Sequence, residues 1–283
     1  MAIAPGSRVA GYRIRRLLGS GNHGAVYLAE DLASGQVVAL KLVPLPAGDD
    51  AARQQFLRHA ATAQGLKHPG IVALLAAGVQ GTTTGWLAME PVPGSDLLRY
   101  TAPARLLPEA LVLRLGARLA EALAHAHALG VVHRDIKPAN VLVHWPGDIV
   151  KLADFGLART ADAEATRTGL LLGSPGYMAP EQLAGAVPDA RTDFYALGVT
   201  LFQLLSGRLP FEGDTMGALL RQVASSAAPD LRQMHPRLPA HVARLVARLL
   251  SRQADRRAET AATLAQELHA AIQGLSSGAP APR

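Results

Sequence analysis

Two periodicities divide this chain, and their order restricts the folds open to it. Segments alternating with a period of two fall early, at residues 12–18, 25–31 and 37–43. In residues 37–43 the alternation puts Val37, Ala39 and Lys41 on one face and Val38, Leu40 and Leu42 on the other. A helical pattern follows at 51–66, with Phe56, His59, Ala60 and Ala63 spaced as one inward face. Lys67-His68-Pro69-Gly70 ends it. A further apolar strand is predicted at 86–92, and Pro93-Gly94 reads as a hinge. From Leu97 onward the spacing is helical, at 108–129, 192–205, 216–225, 240–250 and 261–272. Residues 274–283, rich in Gly, Ser, Pro and Ala, read as a disordered tail.

The expectation is an α+β, bilobal architecture. A small β-rich N-lobe with one main helix spans 12–90, a hinge 90–94, and a larger, mainly helical C-lobe 95–272. Residues 12–272 then form one functional domain, with 273–283 as its tail. A hydrophobic share of 49% against 18% charged residues excludes an intrinsically disordered chain. With no cysteine among its 283 residues the chain has no disulfide, thiolate nucleophile or Cys-ligated metal, which suits a reducing compartment. The first residues lack the basic-then-apolar order of a signal peptide, and the most apolar segment, 194–205, is too short to span a bilayer. A cytoplasmic protein without a membrane segment is expected. The net charge of +6 invites a nucleic-acid partner, but the basic residues are scattered and aromatics make up only 4%. No nucleic-acid partner is expected.

Only four lysines occur, Lys41, Lys67, Lys137 and Lys151, the remaining cations being arginines. An ammonium and a guanidinium are not interchangeable at a tight site, so a lysine retained in such a chain draws notice. Two of the four fall in segments that suggest chemistry. Gly19-Ser20-Gly21-Asn22-His23-Gly24-Ala25-Val26 lies between two predicted strands, where glycines let backbone N–H groups close over phosphates. Alone the pattern is weak and is matched by ordinary turns; it leads into a strand, which disfavours a dinucleotide-binding reading. Val38-Ala39-Leu40-Lys41 follows, then His133-Arg134-Asp135-Ile136-Lys137-Pro138-Ala139-Asn140, and then Asp154-Phe155-Gly156. Phosphoryl transfer needs Mg²⁺ on the phosphates, compensation of equatorial charge and an oriented hydroxyl. Asn140 and Asp154 offer oxygen ligands to the metal, Asp135 a base for the hydroxyl, and Lys137 a cation for the γ-phosphoryl group.

With Ala179-Pro180-Glu181, these segments occur in the order and spacing of protein kinases. The chain resembles a bacterial, eukaryotic-like (Hanks-type) serine/threonine protein kinase over residues 12–272. The resemblance implies ATP-dependent phosphorylation of serine and threonine hydroxyls in protein substrates, with ATP and Mg²⁺ as cofactors and Mn²⁺ as a substitute. Asp135, Lys137 and Lys41 would be catalytic. Gly19, Ser20, Gly21, Gly24, Val26, Ala39, Lys41, Glu90, Val92 and Leu142 would bind the nucleotide, Asn140 and Asp154 the metal. Met89 falls at the gatekeeper position. Arg134 would pair with a phosphate on Thr166 or Thr168, placed there by autophosphorylation in trans within a homodimer. Ser174 matches a threonine that contacts the catalytic loop, Asp193 an aspartate supporting that loop, and Glu181 would pair with Arg256.

The chain departs from this pattern at His59, where active relatives carry the glutamate that pairs with the strand lysine. No acidic residue lies between Asp50 and Glu90 to replace it. A protonated histidine would repel Lys41, and a neutral one accepts a single hydrogen bond. His59 therefore keeps a second reading open, an ATP-binding pseudokinase scaffold with weak or no transfer. His23 at the glycine-loop tip, and Arg257 where proline is frequent, are lesser departures.

Overall fold

A computed structural model of the chain describes residues 3–21, 24–155 and 175–277. They divide into two compact units. The first runs to Gly94 and also takes Asp154 and Phe155; the second takes Ser95–Ala153 and residues 175–277.

The first unit is a six-stranded antiparallel sheet in the order β1-β2-β3-β4-β6-β5. Its strands are β1 (Arg8–Val9), β2 (Tyr12–Gly21), β3 (Gly24–Asp31), β4 (Val37–Pro44), β5 (Leu74–Gln80) and β6 (Thr84–Met89). Alternation sorts the strand side chains onto two faces. Tyr12, Ile14, Tyr27, Ala29, Val38, Leu40 and Ala88 form one buried cluster. Leu87 joins Leu45 with Phe56 and Ala60 of helix α1 (Asp50–Gln64) in another. Lys41 stands directly opposite Leu87 in the β4–β6 ladder, so it shares the face that α1 covers. The Asp49 carboxylate caps α1 by accepting from the Ala52 amide, and Gly85 lets the Phe56 ring approach the sheet, since a Cβ there would lie 2.7 Å from it. β5 went unforeseen because its half-buried Leu-Leu-Ala-Ala-Gly run lacks a clean alternation.

In the second unit a three-stranded antiparallel sheet, β7 (Ser95–Asp96), β8 (Val141–His144) and β9 (Ile149–Leu152), stands with a set of helices. These are α2 (Glu109–Ala128), α3 (Pro180–Leu183), α4 (Ala190–Ser206), α5 (Met216–Ser225), α6 (Leu231–Met234), α7 (Ala240–Leu249) and α8 (Ala261–Ser277). α4 is buried on almost every side, which its largely apolar run from Phe194 to Phe202 requires; the Thr200 hydroxyl is satisfied by the Ala196 carbonyl. A Cβ at Gly198 would lie 2.7 Å from that of Leu249, so α4 and α7 approach at a glycine.

One expectation needs correction. α8 continues to Ser277, so residues 273–277 are helical and not part of a structureless tail. Residues 274–283 read as a tail from their composition, and a glycine inside a helix costs about 1 kcal/mol relative to alanine. Here a Cβ at Gly274 would sit 3.0 Å from the His241 imidazole, whose Nε2 lies 3.3 Å from the Ala271 carbonyl. Tertiary packing overrides the local preference.

Candidate active site

In the first unit the glycine pattern is a hairpin and not a free loop. Gly19 pairs with Val26, Ser20 with Ala25 and Gly21 with Gly24 across β2 and β3, whereas Asn22 and His23 lie outside the described residues. Gly24 has φ +115°, and a Cβ there would fall 1.9 Å from the Leu42 carbonyl oxygen, so no other residue fits. At Gly19 and Gly21 an added Cβ would meet nothing within 4 Å. Their backbone faces open space, which suits a phosphate cradle.

Val26 and Lys41 are directly paired neighbours in the β3–β4 ladder, with Ala39 two residues away on the same face of β4. Lys41 is only 6% exposed, and its Nζ donates to Asp154 Oδ2 at 2.7 Å. A buried ammonium needs a carboxylate partner, and this one comes from the aspartate expected to hold metal. His59 is half-buried on α1, in line with Phe56 and Ala60. Beyond buried Met89 the chain turns at Glu90, whose amide donates to the Ala73 carbonyl and whose Oε1 accepts from the Ala73 amide at 2.7 Å. That pair holds the backbone at 90–92, where Val92 is half-buried.

The second unit holds the loop between α2 and β8. Lys137 Nζ donates to both Asp135 carboxylate oxygens, at 2.9 and 2.7 Å. Asn140 Nδ2 donates to the Asp135 carbonyl at 2.7 Å and to Asp135 Oδ2 at 2.9 Å. With its amide nitrogen committed, Asn140 presents Oδ1 as an acceptor. Beneath the loop, fully buried Asp193 accepts from the His133 amide at 2.8 Å, the Arg134 amide at 2.7 Å, and contacts His127 Nε2 at 2.8 Å. His133 in turn lies with Nε2 2.8 Å from the Ala153 carbonyl, and the Ala153 amide donates to the Asn140 carbonyl. Arg134 and Asp154 both adopt positive φ, +72° and +66°, an unfavourable region for residues with a Cβ that the surrounding bonds must hold. Leu142, half-buried on β8, pairs with Lys151 of β9.

The Glu181 partner is Arg257 and not Arg256. Arg257 Nη1 and Nη2 reach Glu181 Oε1 and Oε2 at 2.6 and 2.9 Å, with the arginine side chain fully buried. Burial raises the pKa of the Glu181 carboxyl, yet the hydrogen bonds and charge of Arg257 outweigh it and hold the net value below the usual range. The arginine doublet left the register open by one, and the residue that reaches the carboxylate also lies under Tyr195, 5.0 Å from its ring centre. His127 and Gln182 were missed entirely. Gln182 accepts from the Ala179 amide and donates to the Arg134 carbonyl at 3.3 Å; nothing in its local sequence marks that reach. Gly156, Thr166, Thr168 and Ser174 lie outside the described residues.

Comparison with known proteins decides the family. Residues 12–269 match the model of the protein kinase domain. The chain belongs to the protein kinase family. This kinase domain is 36% identical to the serine/threonine-protein kinase PrkC of Bacillus subtilis over 85% of its length, covering 37% of PrkC. It is 40% identical to the DNA damage-responsive serine/threonine-protein kinase RqkA of Deinococcus radiodurans over 87%, again covering 37% of the relative. The chain thus spans little more than a third of either relative. Among solved structures, the kinase domain of Mycobacterium tuberculosis PknI is similar with a TM-score of 0.78 and 31% identity, over 96% of this chain and 100% of that one. The likeness gives this chain the bilobal α+β kinase fold. Among the described residues no helix is long and apolar enough to cross a membrane.

Proposed function

We propose that this kinase domain transfers the γ-phosphoryl group of ATP to serine and threonine hydroxyls of protein substrates. The observation that carries the reading is the Asp135 cluster: a carboxylate fixed on Lys137 and Asn140, with the preceding His133 and Arg134 amides held from below by Asp193. A substrate hydroxyl gives its proton to Asp135 as its oxygen forms the bond to phosphorus and the bond to the leaving ADP oxygen breaks. Lys137 then faces the transferring phosphoryl group, and Lys41, oriented by Asp154, the α- and β-phosphates.

The donor set fits Mg²⁺. Among the described residues no group of three or more His, Asp and Glu side chains forms a metal cage. Mg²⁺ prefers one or two protein oxygens with waters and phosphates, which the Asn140 Oδ1 and a carboxylate of Asp154 suit; Mn²⁺ is an acceptable substitute. When bound, the metal would neutralise phosphate charge. Gly19, Ser20, Gly21, Gly24 and Val26 would cover the phosphates, and Ala39, Glu90, Val92 and Leu142 would receive the adenine.

His59 does not favour the scaffold reading, because Lys41 has its carboxylate without a glutamate on α1. The curated relatives carry the name of serine/threonine kinases. We further assign Thr166 and Thr168 as autophosphorylation sites read by Arg134, phosphorylated in trans within a homodimer, in a cytoplasmic setting. Incubation with labelled ATP and Mg²⁺ followed by mass spectrometry tests this. Phosphate on Thr166 or Thr168 that is absent from Asp135→Asn is expected; no incorporation with ATP binding retained would favour the scaffold.

A further inference from the structure

The arginine doublet splits into one buried and one exposed member. Arg257 is locked inside the second unit: besides Glu181 it donates from Nε to the Ser251 carbonyl at 2.9 Å and from Nη1 to the Arg191 carbonyl at 2.8 Å. These bonds anchor the segment 251–257 from behind. On its outer side is a cavity of about 450 Å³, lined by Ala224, Ser251, Arg252, Gln253 and Arg256. Arg252 donates from Nη1 to the Ala224 carbonyl at 3.0 Å, neutralising the negative end of α5. The Arg256 guanidinium has no hydrogen bond or ion pair among the described residues, and no carboxylate lines the cavity.

We propose that this cavity is a binding site for a phosphoryl dianion carried on a side chain, a phosphoserine or phosphothreonine. Two guanidinium forks, a hydroxyl and a primary amide give a donor-rich lining without a competing acid, and arginine forks match the oxygens of a phosphate in pairs. The size argues for a phosphorylated side chain over a bare ion, since cavities of a few hundred Å³ accommodate organic ligands. The segment is held in place by Arg257, so little ordering is needed on binding. Nothing in the site depends on phosphoryl transfer by this chain.

Nuclear magnetic resonance titration of the full chain, without ATP, tests the proposal. The probes are N-acetyl-phosphothreonine methylamide, its unphosphorylated counterpart and inorganic phosphate. The phosphorylated compound is expected to bind with shifts in the Arg256 side-chain signals, and Arg256→Ala to weaken it about tenfold or more, the scale of charge-assisted hydrogen bonds. Arg232→Ala, at another exposed arginine, should bind as the parent does. Inorganic phosphate should bind more weakly than the phosphothreonine compound; equal affinity, lost in Arg256→Ala, would assign the site to the free ion. Binding undiminished in Arg256→Ala, equal binding of the unphosphorylated compound, or no binding at all would overturn the site.

Discussion

In the proposed reaction the loop of residues 133–140 and the glycine hairpin of β2 and β3 would serve the same phosphoryl transfer, and they are built by opposite means. The hairpin is held by backbone pairing across a ladder with a register shift between Leu17 and Gly19, and among its described residues only Gly24 has a conformation that demands its residue type. The loop is irregular, with Arg134 at positive φ, and its shape is set by buried polar groups, above all Asp193. Buried donors and acceptors are costly to leave unmade, so such a network holds one geometry firmly. The hairpin rests on backbone pairing, whereas the loop is built to hold a carboxylate still.

Asp135→Asn removes the proposed base and is expected to lower the transfer rate about 10²- to 10⁴-fold while leaving the melting temperature nearly unchanged. A steady-state assay with a peptide substrate, alongside a thermal melt, checks both. An equal fall in stability would mean that Asp135 is chiefly a structural residue.

Next in size is the support beneath. Asp193→Ala strands two buried backbone amides and His127, and it is expected to destabilise the second unit by roughly 3 kcal/mol or more. Denaturant unfolding would measure it. Asp193→Asn keeps one acceptor and should cost less. If neither variant shifts the midpoint, the loop is held by something other than this carboxylate.

How far the sequence carried this picture follows the same division. β4 was legible from its alternation and β-branched residues and α4 from its length and apolar content, close to the expected 37–43 and 192–205. Lys41 was foreseen on the correct face of its strand, because a period of two decides faces without knowledge of the partner. The partner itself was not legible. Asp154 and Lys41 lie 113 positions apart in the sequence, and Arg257 and Glu181 lie 76 apart. The expected partner of Glu181 was Arg256, and packing shows that its neighbour Arg257 is the buried one. The helical residues 274–277 escaped notice for a related reason: their tail-like composition yields to packing, with Gly274 set against the His241 imidazole.

A smaller effect concerns His59. Since Asp154 already supplies a carboxylate to Lys41, His59→Glu is expected to change the transfer rate by less than about tenfold, the scale of one charge-assisted hydrogen bond. Measuring kcat and KM for ATP separately sharpens the comparison. A much larger gain would show that the nucleotide side of the apparatus is incomplete without the glutamate.

The smallest effect lies in the polar interior of the second unit, at alkaline pH. Burial pushes the Tyr177 phenol up to about 12, against a hydrogen bond to Gln203 that lowers it. A folded-state pKa above the unfolded value near 10 means that the neutral phenol stabilises the fold below that pH. The contribution is lost as pH rises through 12. Tyr177→Phe cannot ionise, so its stability should fall less steeply between pH 10 and 12, at a cost of about 1 kcal/mol at neutral pH for the missing hydrogen bond. Tyr195, also pushed up by burial, remains in the variant and keeps part of the alkaline slope. Parallel melts of the two proteins across that window decide the matter: identical slopes would show that the Tyr177 phenol ionises in the folded state as readily as in the unfolded chain.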